Sequence, residues 1–293
     1  MRIVATGLSH EYNRGTAIAT RALDDVSLTI EEGAFLGVVG HTGSGKSTFI
    51  LHLDALLKTQ EGRLSIGDIV LSPEKKKKSA LRKERRLLSK KVGMVFQYPE
   101  HQLFAETVFE DVAFALKNFY PELSGGQIEE RVRAAVETVG LDYAEIKDKS
   151  PFLISGGQKR RVAIAGVIVS RPEVLVLDEP CAGLDPAGKT ELWALLKKLH
   201  ADFAKTVIVV SHDMNDVCEN CDQVAMFSHG KMIYHGGLDG LFSKPELIEK
   251  SGLELPVTAY LKRELGLDSL ASDLTIDGFS KRLAEFILRK TGL

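Results

Sequence analysis

The chain has 293 residues, of which 44% are hydrophobic and 27% are charged, a composition typical of globular proteins. Its formal net charge of −2 provides no overall positive field, so we expect no binding to nucleic acid or to an anionic membrane through bulk electrostatics. Three cysteines are too few for a disulfide framework, and no apolar run approaches the roughly 18 residues that a membrane span needs.

The amino-terminal part of the chain predicts a small antiparallel sheet and no secretory signal. The apolar run within residues 1–7 is shorter than the roughly 7–15 residues of a signal sequence, so we expect a cytoplasmic protein. Residues 26–30 alternate between apolar and polar side chains, as a half-buried strand does. Residues 63–71 read as a hairpin that turns at Gly67.

Four short apolar runs, separated by helical patterns, predict a mostly parallel sheet that is covered on both faces. These predicted strands, numbered first to fourth below, are residues 35–39, 92–96, 174–177 and 207–210. Each strand is followed at once by polar or glycine-rich residues. Because ligands of open α/β sheets bind outside the carboxyl ends of the strands, we expect these four junctions to form one site.

Helical patterns dominate the rest of the chain and suggest its domain organisation. Residues of about 98–170 would form a helical lobe between the second and third strands, and a helical tail follows the sheet. The predicted domains are therefore residues 1–243 and 244–293. An apolar stripe in the tail would pack either within the tail or against another subunit, and its residues are Phe279, Leu283, Phe286 and Ile287.

A glycine-rich loop lies between the first strand and a helical pattern at residues 48–57. It matches G-x-x-x-x-G-K-[ST], the phosphate-binding loop or P-loop, and its residues are Gly40, His41, Thr42, Gly43, Ser44, Gly45, Lys46, Ser47 and Thr48. In this motif, backbone N–H groups and a helix N-terminus face phosphate oxygens. We expect Lys46 to reach the β- and γ-phosphates and Ser47 to ligate Mg²⁺.

Polar side chains at the other strand ends predict the remaining parts of this site. Asp178 and Glu179 end the third strand, and neighbouring strand residues point to opposite sides. We therefore expect Asp178 to ligate Mg²⁺ and Glu179 to orient or deprotonate the attacking water. Gln97, after the second strand, would bridge Mg²⁺ and water. His212, after the fourth strand, would donate a hydrogen bond to the γ-phosphate.

Together these motifs resemble the nucleotide-binding domain of ABC ATPases over about residues 1–240. The resemblance implies an α/β P-loop NTPase with a RecA-like parallel core, an amino-terminal antiparallel β subdomain, an inserted helical subdomain and a small helical carboxyl-terminal extension. It also implies hydrolysis of ATP with Mg²⁺ held by Ser47, Gln97 and Asp178. By the same resemblance, Tyr12 would stack on adenine, and Asp185 would belong to the D-loop.

Two segments are candidates for the family's signature, which in such ATPases caps ATP bound by a second subunit. One opens a helical pattern, residues 159–170, that leads directly into the third strand, and it consists of Ser155, Gly156, Gly157 and Gln158. Residues 123–127, Leu-Ser-Gly-Gly-Gln, match the family consensus better but lead only into a helix inside the lobe. Position therefore favours the segment that begins at Ser155.

Within the ABC family, residues 95–108 closely resemble the ATPase subunits of energy-coupling-factor (ECF) transporters, and residues 178–185 look like the second ATPase of their pair. Such transporters import vitamins or metal ions with two related ATPases, a membrane coupling protein and an exchangeable substrate-binding membrane protein. The resemblance implies a heterodimer at the cytoplasmic face of the cell membrane. It also implies that Glu100 and Glu106 meet arginines of the coupling protein.

Three alternatives stay open at this point. The ATPase of another ABC importer would share every catalytic residue. A soluble ABC ATPase of DNA repair or translation usually carries two cassettes or long insertions, and this chain has one cassette. A partner subunit that only binds ATP would not need both Glu179 and His212.

Two further features are interpreted as structural. Cys218 and Cys221 have C-x-x-C spacing, but no second pair lies at zinc-finger distance, so we expect two buried small residues in a helix. The basic residues between positions 75 and 91 predict a solvated face, with contact to lipid headgroups or a partner as the alternative.

Overall fold

An antiparallel sheet near the amino terminus packs on a larger, mostly parallel sheet. The computed structural model describes residues 1–73, 78–267 and 275–291. The strands in chain order are β1 (Ile3–Tyr12), β2 (Thr20–Ile30), β3 (Phe35–Val39), β4 (Glu61–Ile66), β5 (Ile69–Leu71), β6 (Val92–Val95), β7 (Val174–Asp178), β8 (Thr206–Val210), β9 (Gln223–Ser228) and β10 (Lys231–Gly237). The helices are α1 (Lys46–Leu53), α2 (Lys78–Lys91), α3 (Val108–Phe119), α4 (Gly125–Thr138), α5 (Tyr143–Ile146), α6 (Gly156–Ile168), α7 (Pro186–Asp202), α8 (Met214–Asn220), α9 (Leu238–Phe242), α10 (Pro245–Lys250), α11 (Val257–Glu264) and α12 (Ile276–Thr291).

The antiparallel sheet has the order β2-β1-β4-β5. The predicted hairpin is confirmed, since β4 and β5 pair on either side of Gly67 with Ile66 opposite Ile69. Strand β1 was not predicted, because register shifts after Ala5 and Leu8 interrupt its alternation. Those irregularities place His10 and Tyr12 at the end of the strand, close to the P-loop helix α1.

The larger sheet has the order β10-β9-β3-β8-β7-β6, and only β10 is antiparallel to its neighbour. Alternate residues of each parallel strand enter different cores, as expected for strands covered on both faces. On β7, Val174 and Val176 pack beneath the antiparallel sheet, while Leu175 and Leu177 pack on the helical side. The carboxyl ends of β3, β6, β7 and β8 therefore lie at one edge, as predicted.

Four helices, α3 to α6, form the predicted lobe between β6 and β7. Helix α6 begins earlier than the predicted 159–170, because Ser155 is its N-cap. The Ser155 hydroxyl accepts a hydrogen bond from the backbone N–H of Gln158, whose side chain accepts from the Ser155 N–H, a capping box. Ser124 and Gln127 build the same capping box at the start of α4, as the interpretation of residues 123–127 predicted.

Cys218 lies on α8 and Cys221 is the extended residue that ends it, and both are buried. A Cβ on Gly37 of β3 would lie 2.7 Å from Val217 Cγ1 and 3.3 Å from Cys221 Sγ, so the helix approaches the strand through these small groups. Burial raises the pKa of the Cys218 thiol to about 12 and raises that of Cys221 as well. In the described ranges no group of three or more His, Cys, Asp or Glu side chains could hold a metal. The predicted burial of both cysteines is confirmed, although Cys221 lies just beyond the end of the helix.

The tail beyond β10 packs in two places. Ile248 of α10 and Leu253 join the core of the helical side, and the backbone N–H of Val257 donates to Asn215 Oδ1 (2.9 Å). Further on, Phe279 of α12 is buried against Leu267. Leu283 and Phe286 pack on that pair, so this part of the apolar stripe is covered within the tail, whereas Ile287 is half exposed.

Two further predictions concern the surface of the chain. Among the residues that the structure describes, no helix is both long and apolar enough to cross a membrane. Residues 75–77 of the basic segment lie outside the described residues, and the segment continues into α2. On that helix Arg82, Lys83 and Arg85 are exposed to solvent, which agrees with the predicted solvated face.

Candidate functional site

The P-loop connects β3 to α1 and is shaped by glycines that no other residue could replace. Gly40 and Gly45 have φ values of 149° and 109°, which L side chains rarely adopt. A Cβ at either position would collide with a backbone carbonyl oxygen, that of Phe227 for Gly40 and that of Ala22 for Gly45. The antiparallel sheet, through Ala22, and the larger sheet, through Phe227, therefore both pack against the loop and constrain its curled shape.

Lys46 is folded back into this loop. Its Nζ donates hydrogen bonds to the carbonyl oxygens of Gly40 (2.6 Å) and His41 (3.0 Å), and the residue is only 6% exposed. Burial lowers the pKa of Lys46, while the carboxylates of Glu179 and Asp178 raise it. Inside the loop the buried Ser44 hydroxyl has no hydrogen-bond partner among the described residues. A buried ammonium and an unsatisfied hydroxyl in a glycine-lined loop fit a phosphate chain.

Ser47 and Asp178 meet beside the loop. The Ser47 side chain lies close enough to the Asp178 carboxylate, at the end of β7, to lower the pKa of that carboxyl group. Burial raises the pKa of Asp178, the neighbouring Glu179 raises it further, and the contacts with Ser47 and Lys46 lower it. A half-buried carboxylate next to a hydroxyl supplies the oxygen ligands that Mg²⁺ prefers, so these residues fit the predicted metal.

Glu179 lies at the centre of the three other strand ends. Its Oε2 accepts a hydrogen bond from Gln97 Nε2 (3.3 Å), and its Oε1 is 3.4 Å from His212 Nδ1. The backbone of Glu179 has a φ of 44°, and its N–H donates to the Val210 carbonyl oxygen at the end of β8 (3.1 Å). Strained backbone of this kind persists where surrounding contacts enforce it, often at functional sites. A cavity of about 350 Å³ opens here, lined in part by Gln97, Glu179 and His212.

Tyr12, at the end of β1, lies beside the first turn of the P-loop helix α1. Its hydroxyl is 3.3 Å from Thr48 Oγ1, and 37% of the residue is exposed. The structure thus brings the predicted adenine-stacking ring next to the last residue of the P-loop.

One arginine that the sequence analysis did not select connects three predicted motifs. Arg160 lies on α6, five positions after Ser155, and is 8% exposed. Its guanidinium donates to the carbonyl oxygens of Pro180 (3.3 Å) and Ala182 (3.1 Å), which flank the start of the D-loop. Its Nε is 3.6 Å from Glu100 Oε2. Glu100 was predicted to meet an arginine of a partner, but here it contacts an arginine of its own chain. The sequence signal that could have identified Arg160 was its charge, because it occupies one of the otherwise apolar, buried positions of α6.

A lysine that was also missed joins the helix after the D-loop to the helix after His212. Asp185 caps α7 by accepting from the Gly188 N–H (2.8 Å), and Lys189 follows one position later. Lys189 Nζ lies 3.0 Å from Asp213 Oδ2 and 3.4 Å from Asp216 Oδ2. Asp213 directly follows His212 and caps α8, so the D-loop helix and the histidine segment are fixed relative to each other.

The predicted signature lies apart from these strand ends, on the helical lobe. Ser155, Gly156 and Gly157 are exposed, and a Cβ on either glycine would meet nothing within 4 Å. The alternative segment is equally open at Gly125 and Gly126, so local geometry does not separate the two. Only α6 carries a side chain, Arg160, that is seen to reach the D-loop.

Comparisons with known proteins agree with this architecture. A profile of the ABC transporter family matches residues 23–182. The chain is 44% identical over 293 residues to the energy-coupling factor transporter ATP-binding protein EcfA2 of Clostridium tetani, with 99% of each chain covered.

Solved structures agree as well. CbiO1 from Clostridium perfringens, described as part of the ABC transporter complex cbiONQ, has a TM-score of 0.72 and 34% identity, with 89% of this chain and 98% of that chain covered. The ATP-binding cassette MJ0796, in a dimeric post-hydrolysis state bound to ADP and Pi, has a TM-score of 0.70 and 30% identity, with 80% of this chain and 98% of that chain covered. The chain therefore belongs to the ABC transporter family and, within it, to the energy-coupling factor transporter ATP-binding proteins.

Proposed function

We propose that this ATPase forms one half of a heterodimer in which each ATP lies between the P-loop of one subunit and the signature of the other. The observation that carries the proposal is the convergence of Lys46, Asp178, Gln97 and His212 around Glu179 at one edge of the sheet. The exposed start of α6 lies on a separate lobe, where a second subunit could reach it.

In this proposal the P-loop holds the phosphates. Lys46 would exchange its hydrogen bonds to Gly40 and His41 for phosphate oxygens, and Ser44 would gain the partner it lacks. Ser47, Asp178 and Gln97 would hold Mg²⁺, which supplies neutralisation of the charge that develops on the phosphates. Tyr12 would stack on the adenine ring beside the first turn of α1.

Glu179 has the position and contacts of a residue that orients or deprotonates water. Gln97 donates to one of its carboxylate oxygens and His212 lies 3.4 Å from the other, so the carboxylate is oriented before any substrate arrives. Such preorganisation is where most of the catalysis of phosphoryl transfer comes from, because little covalent chemistry is left to the protein.

For the partners, we propose a second, related ATPase, a membrane coupling protein and an exchangeable substrate-binding membrane protein, at the cytoplasmic face of the membrane. The likeness to EcfA2 and to a component of a cbiONQ complex supports this assembly. Vitamins or metal ions would be the cargo. The exposed rings of Phe104 and Phe114, in edge-to-face contact at 4.8 Å, lie beside the turn that carries Glu100 and support a groove for the coupling protein.

Replacing Glu179 by glutamine should lower ATP turnover by about 10²-fold or more, because the amide cannot accept a proton from water. The variant should still bind ATP and should accumulate as an ATP-bound dimer with its partner, measured by size-exclusion chromatography. Glu173→Gln is the matched control, because Glu173 directly precedes the first residue of β7, away from the site, and pairs with Lys91. Undiminished turnover in Glu179→Gln would contradict the assigned role.

Ser155→Arg should abolish ATP hydrolysis, while Ser124→Arg should leave it near the wild-type level. The two serines cap their helices through the same hydrogen bonds, so both changes cost about 1 kcal/mol of stability and differ only in place. Steady-state ATPase assays of the assembled complex, with melting temperatures, separate the effects. The opposite pattern would show that residues 123–127 are the working signature.

Arg160→Lys should lower kcat about tenfold and leave ATP affinity unchanged. A lysine keeps the charge but loses the fork that binds the Pro180 and Ala182 carbonyl oxygens, and hydrogen bonds to charged groups contribute about 1.5–3 kcal/mol. Arg161→Lys is the control, because Arg161 points instead to the Val139 carbonyl oxygen and to Glu191. An equal loss in both variants would mean that Arg160 acts only through the stability of α6.

A further inference from the structure

Two buried histidines lie between the proposed base-stacking ring and the P-loop helix. The ring of His10 contacts that of Tyr12 edge-to-face, with centroids 4.7 Å apart and planes at 70°. On its other side His10 contacts His52 in the same manner, at 4.9 Å and 80°. Together Tyr12, His10 and His52 form a continuous stack, which we call the aromatic ladder.

Both ends of the ladder are hydrogen-bonded to the same residue. The Tyr12 hydroxyl is 3.3 Å from Thr48 Oγ1, and His52 Nδ1 donates to the Thr48 carbonyl oxygen (2.7 Å). Thr48 is the last residue of the P-loop motif and lies in α1. The base-stacking ring and the phosphate loop are therefore connected twice, once directly and once through the two imidazoles.

The spacing of the ladder residues along β1 and α1 allows these two elements to contact each other through their side chains. His10 and Tyr12 are two apart on β1, and their rings are in contact despite the register shift between His10 and Glu11. Thr48 and His52 are four apart on α1, about 6 Å along the axis, and share one face of the helix. The backbone between the two strand residues is held as well, since Glu11 exchanges two hydrogen bonds with the side chain of Gln60.

The imidazoles are buried and uncharged components of this stack. His10 is 5% exposed and His52 is fully buried, and burial lowers the pKa of both, so both are neutral near pH 7. A neutral ring with a polarised edge is suited to edge-to-face contact with a tyrosine. Leucine or isoleucine would fill the same volume but could not fix the angle of the Tyr12 ring.

We propose that His10 and His52 are positioning residues that set the orientation of the Tyr12 ring and its distance from the P-loop, and thereby the affinity for the nucleotide base. The inference rests on the proposed function, because it needs Tyr12 to stack on adenine. The phosphates are bound by other residues. The ladder therefore acts on the base alone.

The test measures binding of two probes to the purified full-length chain: ATP, and inorganic triphosphate, which has no base. His10→Leu should weaken ATP binding about two- to tenfold, the range for loss of an aromatic pair, and should leave the affinity for inorganic triphosphate unchanged. His10→Phe should restore ATP affinity. In a Tyr12→Ala background, His10→Leu should have no further effect, because the ladder acts through that ring.

Two further variants exclude a general loss of structure. His52→Leu breaks the ladder at its other contact and should give the same pattern, which keeps the test valid if His10→Leu does not fold. His200→Leu is the matched control: its ring also contacts an aromatic ring, that of Phe35 at 5.3 Å, but it hydrogen-bonds Gly33 and Lys205, which precede β3 and β8 at the edge away from the site. This control should bind both probes like the wild type.

The outcomes separate the two levels of the proposal. Wild-type ATP affinity in His10→Leu, or equal weakening for ATP and inorganic triphosphate, would overturn the role of the ladder. If instead the wild-type chain does not bind ATP, or if Lys46→Ala binds ATP as tightly as the wild type, the proposed function itself fails and the ladder with it.

Discussion

The buried ammonium of Lys46 is the constraint on which the rest of the site depends. An ammonium group taken out of water is costly unless charges and hydrogen bonds replace its hydration. Here the curled P-loop places two carbonyl oxygens within hydrogen-bonding distance of the ammonium group, and the carboxyl end of β7 places two carboxylates near it. Those carboxylates disfavour each other, since Glu179 helps to raise the pKa of Asp178. A phosphate chain with Mg²⁺ would balance both sets of charges, which is why nucleotide and metal are expected to bind together.

Side chains outside the strand ends connect this charge cluster to the parts of the molecule that a partner would touch. Arg160 of α6 donates to the carbonyl oxygens of Pro180 and Ala182 and lies near Glu100. Lys189 binds Asp213, the residue after His212. If residues 155–158 are the signature, as proposed, movement of α6 would be transmitted to residues 180–182 through the guanidinium. Alongside α1, the aromatic ladder would play the corresponding part for the base, if Tyr12 stacks on adenine as proposed.

The sequence predicted the features that depend on local pattern. Strand Phe35–Val39 was found with the same bounds, because a strand covered on both faces reads as an unbroken apolar run. Helix starts were less accurate: α1 begins at Lys46 and α6 at Gly156, because capping serines and glycines extend helices beyond their apolar periodicity. Strand β1 escaped detection because its register shifts break the alternation.

Contacts between individual side chains of distant segments could not be read from the sequence, apart from the convergence of the strand ends. Nothing near Arg160 indicates that it meets Glu100, and nothing near His10 indicates that His52 lies beneath it, because these pairs form only when the sheets and lobe assemble. The predicted site residues at the four strand ends do lie together, since parallel strands place their carboxyl ends at one edge. Their roles in hydrolysis and the division of the chain at residue 244 stay predictions.

A structure of the full-length chain with Mg²⁺ and a non-hydrolysable ATP analogue tests the central claim most directly. The account predicts that Lys46 Nζ leaves the Gly40 and His41 carbonyl oxygens for the phosphates, with the metal between Ser47 and Asp178. A nucleotide bound elsewhere, or Lys46 unchanged beside an occupied P-loop, would contradict it.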